Sequence, residues 1–219
     1  MSEVKKRATL KTQVYEYLKE KIILGDLKPG ERLIEEKIAE ELNISRSPIR
    51  EAIQMLEKDR ILNVNRSGGV TVVQPTIEDY QYLYECRVVM EPLAAYYAAE
   101  RCTPEKLEAI RKSLLRMRDI SALKDTKDIR EAKIDFHESL AEASLNPFLI
   151  SIISQFRVIN SFYRKAILHE TPQHFTEALT EHQNIFQAIA DQEPELARRL
   201  MKEHIENDYT LFVKSNAIR

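Results

Sequence analysis

Apolar residues recur at helical spacing along most of the chain. In TLKTQVYEYLKEKIILG, residues 9–25, Val14, Tyr17, Leu18 and Ile22 share one face, and Gly25 closes the segment, which predicts a first helix. DLKPGERL reads as a turn around Pro29–Gly30, and IEEKIAEELN reads as a short second helix with Ile34, Ile38, Ala39 and Leu42 on one side. Asn43-Ile44-Ser45 leaves room only for a tight turn before a third helix. Ser45 is its natural N-cap, Pro48 falls in the first turn where amide protons lack intrahelical partners, and Ile49, Ala52, Ile53 and Leu56 form the apolar stripe. ILNVNRSGGVTVVQP, residues 61–75, carries two short β-rich segments around Arg66-Ser67-Gly68-Gly69, a hairpin by composition. Three helices followed by a hairpin make a winged helix-turn-helix.

All four glycines lie between positions 25 and 69. A sheet-containing domain needs turns with positive φ, which glycine usually supplies, so the remaining residues should be helical. Breaks at Pro104, Asp125–Asp128, Pro147, near Pro172 and at Pro194 separate about six amphipathic segments, and Pro92 should bend the first. The expected fold is mainly α, with a winged helix-turn-helix over residues 1–75 and an all-α helical bundle over residues 76–219.

The composition suits an ordinary globular protein, with 43% hydrophobic and 31% charged residues in 219. Apolar runs are short and the first ten residues lack the core of a signal peptide, so the expectation is a cytoplasmic protein with no membrane partner. Cys86 and Cys102 stand too far apart along one helical stretch to bridge and read as bystanders. The net charge of −2 does not advertise nucleic acid. Residues 1–76 hold 14 Lys and Arg against 12 Asp and Glu, leaving 19 against 23 for the rest, a weak basic bias at the N-terminal end.

That bias matters because of where the arginines fall. On the third helix Arg46, Ser47, Arg50 and Gln54 occupy the arc opposite the apolar stripe. Arginines and hydroxyls at the exposed start of the second helix of such a motif are what a recognition helix presents to the major groove. Arg66, between Asn65 and the glycine pair Gly68–Gly69, could approach a neighbouring groove or the backbone. LKPGERLIEEKIAEELNISRSPIREAIQMLEKDRILNVNRSGGVTV resembles the DNA-binding domain of GntR-type transcription regulators, whose hallmark residues appear as Ser45, Arg46 and Arg50-Glu51-Ala52-Ile53. The resemblance covers about residues 10–75. It also implies an absent contact, because Glu36 stands where many relatives carry a DNA-contacting arginine.

Five histidines occur. His169 and His174 flank Thr171–Pro172 in an expected loop and receive no role. His137, His182 and His204 each sit on the apolar face of a different helix, so all three should point to a common interior, as polar core residues or as a divalent-metal site. YECRVVMEPLAAYYAAER, DFHESLAEASLNPFL and EHQNIFQAIADQEPELARRLMKEHI resemble the helical ligand-binding FCD domain of the FadR-like branch, and six segments suggest its VanR-like subgroup. The resemblance implies metal ligation by these three histidines plus an aspartate one turn before the first, where this chain has Lys133. Two alternatives stay open. Three histidines hold zinc, nickel or manganese with water or effector completing the shell, or Lys133 replaces the metal as the cation that holds an anionic effector. The resemblance further places Arg87 in the effector cavity, facing a carboxylate, while Glu91 is its alternative partner within the protein.

The favoured expectation is a homodimeric regulator that binds palindromic double-stranded DNA and senses a small organic acid. Two further classes compete. A metal-dependent enzyme would use the same histidines, although no general acid or base is evident beside them; an architectural DNA-binding dimer would use the helical part only to dimerise.

Overall fold

The computed structural model describes residues 9–65, 67–123, 136–167 and 172–217. The chain divides between Pro75 and Thr76 into two compact units.

In the first unit the elements are α1 (Leu10–Leu24), β1 (Arg32–Leu33), α2 (Glu35–Leu42), α3 (Arg46–Lys58), β2 (Leu62–Val64) and β3 (Val70–Val72). Thr9 caps α1 by accepting from the Thr12 amide, and Gly25 ends it at φ 83°, a left-handed conformation that glycine adopts without a Cβ clash. Asn43 makes the turn from α2 to α3 at φ 51°, which asparagine tolerates better than most residues. Val14, Leu18 and Ile22 of α1 are buried, as are Ile49, Ala52, Ile53 and Leu56 of α3, as their spacing predicts.

Three local expectations are corrected. Residues 26–33 contain more than a turn, because β1 pairs antiparallel with β3 in the register Arg32↔Thr71 and Leu33↔Val70, giving the sheet order β1-β3-β2. Ile34 is the N-cap of α2 and is 40% exposed, whereas its neighbour Leu33, on the inward face of β1, is 6% exposed. Ser45 stands at the N-cap of α3 in extended conformation, but its hydroxyl makes no capping bond.

The second unit is helical throughout its described residues. It comprises α4 (Ile77–Arg101), α5 (Pro104–Leu123), a helix described over residues 136–143 (α6), α7 (Pro147–Ile167), α8 (Pro172–Ala190) and α9 (Pro194–Ala217). A capping box opens α4, with Thr76 and Asp79 bonding each other's backbone amides, and the helix runs on through Pro92. Proline opens α5, α7, α8 and α9, at the position where its missing N–H removes no helical bond. His174 therefore lies in α8 rather than in a loop, and His169 lies outside the described residues.

Helices α4 and α9 pack side by side, with Tyr84 stacked on Tyr209 at 4.1 Å and Tyr80 against Phe212 at 3.9 Å between ring centroids. Alanines 94, 95, 98 and 99 let α4 approach the core residues Ile110, Met117, Phe136, Leu140, Ile185, Met201 and Ile205. Among the described residues no helix is long and apolar enough to cross a membrane.

The strand assignment predicts opposite behaviour for neighbouring residues. Leu33→Ala should cost roughly 2–4 kcal/mol in urea denaturation by opening a cavity under β1, and Ile34→Ala less than about 1 kcal/mol. Equal costs would show that β1 does not seat Leu33 in the core.

Candidate functional site

Among the described residues, each unit carries a cluster of chemically capable side chains. In the first, the buried stripe of α3 turns Arg46, Ser47, Arg50 and Gln54 outward, all exposed. The two arginines do not stand free in solvent. Arg46 Nη2 donates to Glu35 Oε2 at 3.0 Å and its Nη1 approaches Glu36 Oε1 to 2.8 Å, while Arg50 Nε donates to the same Glu35 Oε2 at 2.8 Å. Glu36 thus meets an arginine of the next helix, an arrangement the helical spacing within α2 could not reveal.

The wing between β2 and β3 is shaped by Asn65, whose Oδ1 accepts from Ser67 N (3.1 Å), Ser67 Oγ (2.8 Å) and Gly69 N (2.7 Å). Gly68 adopts φ 80°, and a Cβ at Gly69 would come within 2.6 Å of Asn65 Nδ2. The glycine pair therefore serves two needs, a left-handed backbone at Gly68 and space beside the Asn65 clasp at Gly69. Arg66 lies outside the described residues.

In the helical unit α6, α8 and α9 bring His137, His182 and His204 together, with one ligand nitrogen from each inside a 4.8 Å span. Ring centroids are 5.0 Å apart for His137 and His182, 5.3 Å for His137 and His204, and 4.5 Å for His182 and His204. His182 Nε2 faces His204 Nε2 at 3.0 Å. The opposite nitrogens are held from outside: His182 Nδ1 lies 3.4 Å from Met117 Sδ, His204 Nδ1 lies 2.6 Å from Glu181 Oε2, and His137 Nδ1 lies 2.7 Å from Glu91 Oε2. This last pair is close but poorly aligned, and neither atom has another hydrogen-bond partner. Phe136 stacks on His182 at 4.0 Å, and Asn207 Nδ2 donates to the second oxygen of Glu181.

Burial drives the His137 imidazole below its ordinary pKa, against the pull of Glu91. Burial would raise the Glu91 carboxyl, but the Arg87 guanidinium and the nearby His137 outweigh it and hold Glu91 well below the usual carboxylate range. Arg87 is itself buried. Its Nε donates to Glu91 Oε1 at 2.6 Å, and its Nη1 donates to Asn160 Oδ1 of α7 at 2.9 Å and to Asp208 Oδ2 of α9 at 3.2 Å. A carboxylate effector at Arg87 would meet a guanidinium already engaged at Nε and Nη1. Lys133 lies outside the described residues.

Two acids therefore do stand beside the histidines, contrary to the expectation that none would. Glu91 had a legible signal, one helical turn from Arg87. Glu181 had none, since its place next to His182 turns it about 100° away along α8. Met117 carries no polar signature at all.

Residues 10–72 match the family model "Bacterial regulatory proteins, gntR family", and residues 82–207 match that of the FCD domain. The chain is 33% identical over 199 residues to the HTH-type transcriptional regulator YdhC of Bacillus subtilis, covering 90% of this chain and 88% of that protein. It is 27% identical over 205 residues to the gluconate operon transcriptional repressor of Bacillus licheniformis, covering 92% and 84% respectively. The solved structure of E. coli McbR/YncC shares the fold with a TM-score of 0.81 at 24% identity, over 95% of this chain and 99% of that one.

The buried pair makes Glu91 the sensitive position of the helical unit. Glu91→Gln should destabilise the protein by about 3–5 kcal/mol in urea denaturation, because it leaves the Arg87 charge short of its closest counter-charge. A loss under about 1 kcal/mol would mean that Asp208 alone satisfies the guanidinium.

Proposed function

The chain belongs to the gntR family of bacterial regulatory proteins, with an FCD domain, and on that premise we propose how this transcription regulator reads DNA and what it senses. A homodimer binds a palindromic operator through α3 and the wing, Ser47 and Arg50 facing the major groove, Arg46 at its phosphate edge, and Ser45, Arg66 and Gly68 close to the DNA at the helix start and wing. The helical unit senses a small organic acid through a divalent metal held by His137, His182 and His204.

The observation that supports the metal reading is the convergence of one nitrogen from each ring inside a 4.8 Å span, with the Nδ1 atoms of His182 and His204 turned outward to Met117 and Glu181 and that of His137 facing Glu91. Two nitrogens bound to one zinc at about 2.0–2.1 Å in tetrahedral geometry sit roughly 3.3 Å apart, close to the 3.0 Å between His182 and His204. Carboxylates on His204 and His137 are the outer partners that orient ligand imidazoles and raise their basicity. Zinc, nickel and manganese all accept this donor set, and three protein ligands leave positions for water or for an acid. The bound ion would supply a Lewis-acidic centre for a carboxylate.

An organic acid also agrees with the relative named for the gluconate operon, gluconate being a hydroxy acid. Arg87 supports the metal route over direct pairing with the effector, since the protein's own acids already engage it. The relatives are transcription regulators, which disfavours an enzyme built on the same histidines. Effector binding changes operator affinity to the extent that it favours one arrangement of the dimer over another.

Two measurements test the reading. Arg50→Ala should weaken binding to a duplex selected from a randomised pool by about 1–3 kcal/mol, and an unchanged affinity would remove α3 as the reading helix. Untagged protein purified without chelator should contain zinc, nickel or manganese that His182→Ala lacks. Absence of metal in both, with no uptake of added zinc by the unmodified chain, would overturn the metal site.

A further inference from the structure

The acids around the reading arginines are arranged unequally. Glu35, the first residue of α2, is 19% exposed in its side chain, and one of its oxygens receives both Arg46 Nη2 and Arg50 Nε. The Arg50 hydrogen bond is the largest cause of a Glu35 carboxyl pKa below the ordinary value. Glu36 is 55% exposed and meets Arg46 Nη1. Arg46 therefore has both terminal nitrogens on carboxylates. Arg50 is gripped only at Nε, and its terminal nitrogens have no ion pair or hydrogen bond among the described residues.

The two ends of a guanidinium do different work on DNA. A guanine edge takes two parallel N–H bonds at O6 and N7, and the unheld end of Arg50 can supply them while Nε stays on Glu35. A phosphate takes the same fork that a carboxylate takes, so Glu36 and a phosphate compete for Arg46. We propose that Glu35 and Glu36 form a specificity filter: Glu35 is a positioning residue that aims Arg50 at a base, and Glu36 is a phosphate mimic that withholds Arg46 from the DNA backbone until the helix is fully docked.

The physical consequence is selective. Non-specific binding rests on phosphate neutralisation by Lys and Arg, so a cation occupied by an internal acid contributes little to it. In the specific complex the surrounding contacts hold Arg46 close to the backbone, and the exposed, water-screened Glu36 yields. Discrimination is then gained by weakening the wrong complex more than the right one.

This inference rests on α3 being the reading helix, and the experiment separates the two. Full-length protein is titrated with a duplex selected from a randomised pool and with a random-sequence duplex, over a range of salt concentrations. Glu36→Gln should tighten binding to the random duplex by about three- to tenfold and steepen the slope of log K against log salt by about 0.9, the contribution of one further phosphate contact. Its gain on the selected duplex should be smaller. Glu35→Gln should weaken the selected duplex about tenfold, consistent with one misaligned bidentate base contact, and should not weaken the random one.

Both acids also sit in the first turn of α2, where negative charge stabilises a helix, so melting temperature is recorded for each variant. In an Arg46→Ala background, Glu36→Gln should change neither the slope nor the random-duplex affinity. Unchanged slope and selectivity in both single variants, changes that follow melting temperature alone, or a loss of selected-duplex binding in Glu36→Gln would overturn the filter. If these occur while Arg50→Ala still weakens binding, only the filter fails. If Arg50→Ala is also silent, the reading helix fails with it.

Discussion

The helical unit is organised around a charge that water cannot reach. Arg87 and Glu91 are 5% and 4% exposed, and withdrawing each ion from water costs several kcal/mol. That penalty is offset only if the polar atoms find partners, and the partners come from different helices. Glu91 lies one turn along α4, Asn160 comes from α7 and Asp208 from α9. Apolar surfaces alone would tolerate sliding between these helices, whereas a guanidinium with directed partners does not. The other oxygen of Glu91 meets His137 on α6, whose ring packs near His182 on α8 and His204 on α9. One buried ion pair thus ties the packing of the bundle to the geometry of the histidine cluster.

The same pair conditions the chemistry of the cluster. The nearby Glu91 and Glu181 would help to balance the charge of a divalent ion at the proposed site. Binding there would join α6, α8 and α9 and would stabilise the folded bundle by mass action.

Much of this was readable in the residues. The 3.6-residue spacing located α1 and α3, the glycine distribution separated the winged part from the helical part, and the prolines marked where helices begin. The three histidines were legible as a group because each shares a face with apolar residues. What escaped notice depends on contacts between elements. β1 is two residues long, too short for alternation to register, and its pairing with β3 buries Leu33 while leaving Ile34 outside. The role of Asn65 is likewise set across the wing, where its side chain accepts from Ser67 and Gly69. The pairing of Glu35 and Glu36 lies beyond the spacing within α2, because the arginines they bind belong to another helix.

Arginine–carboxylate pairing between α2 and α3 and inside the helical bundle thus has opposite consequences, set by dielectric. Two unit charges 4 Å apart interact by about 1 kcal/mol in water and about 4 kcal/mol at an effective dielectric of 20. The exposed pair of Arg46 with Glu36 lies closer to the first regime and can be opened at little cost. The buried pair of Arg87 belongs to the second and can be opened only by a ligand that replaces every bond it breaks. The proposed small acid would gain more at a metal held by the histidine cluster than by competing with Glu91 and Asp208 for Arg87. Under that proposal the contact that must exchange is wet and the contacts that must hold are dry.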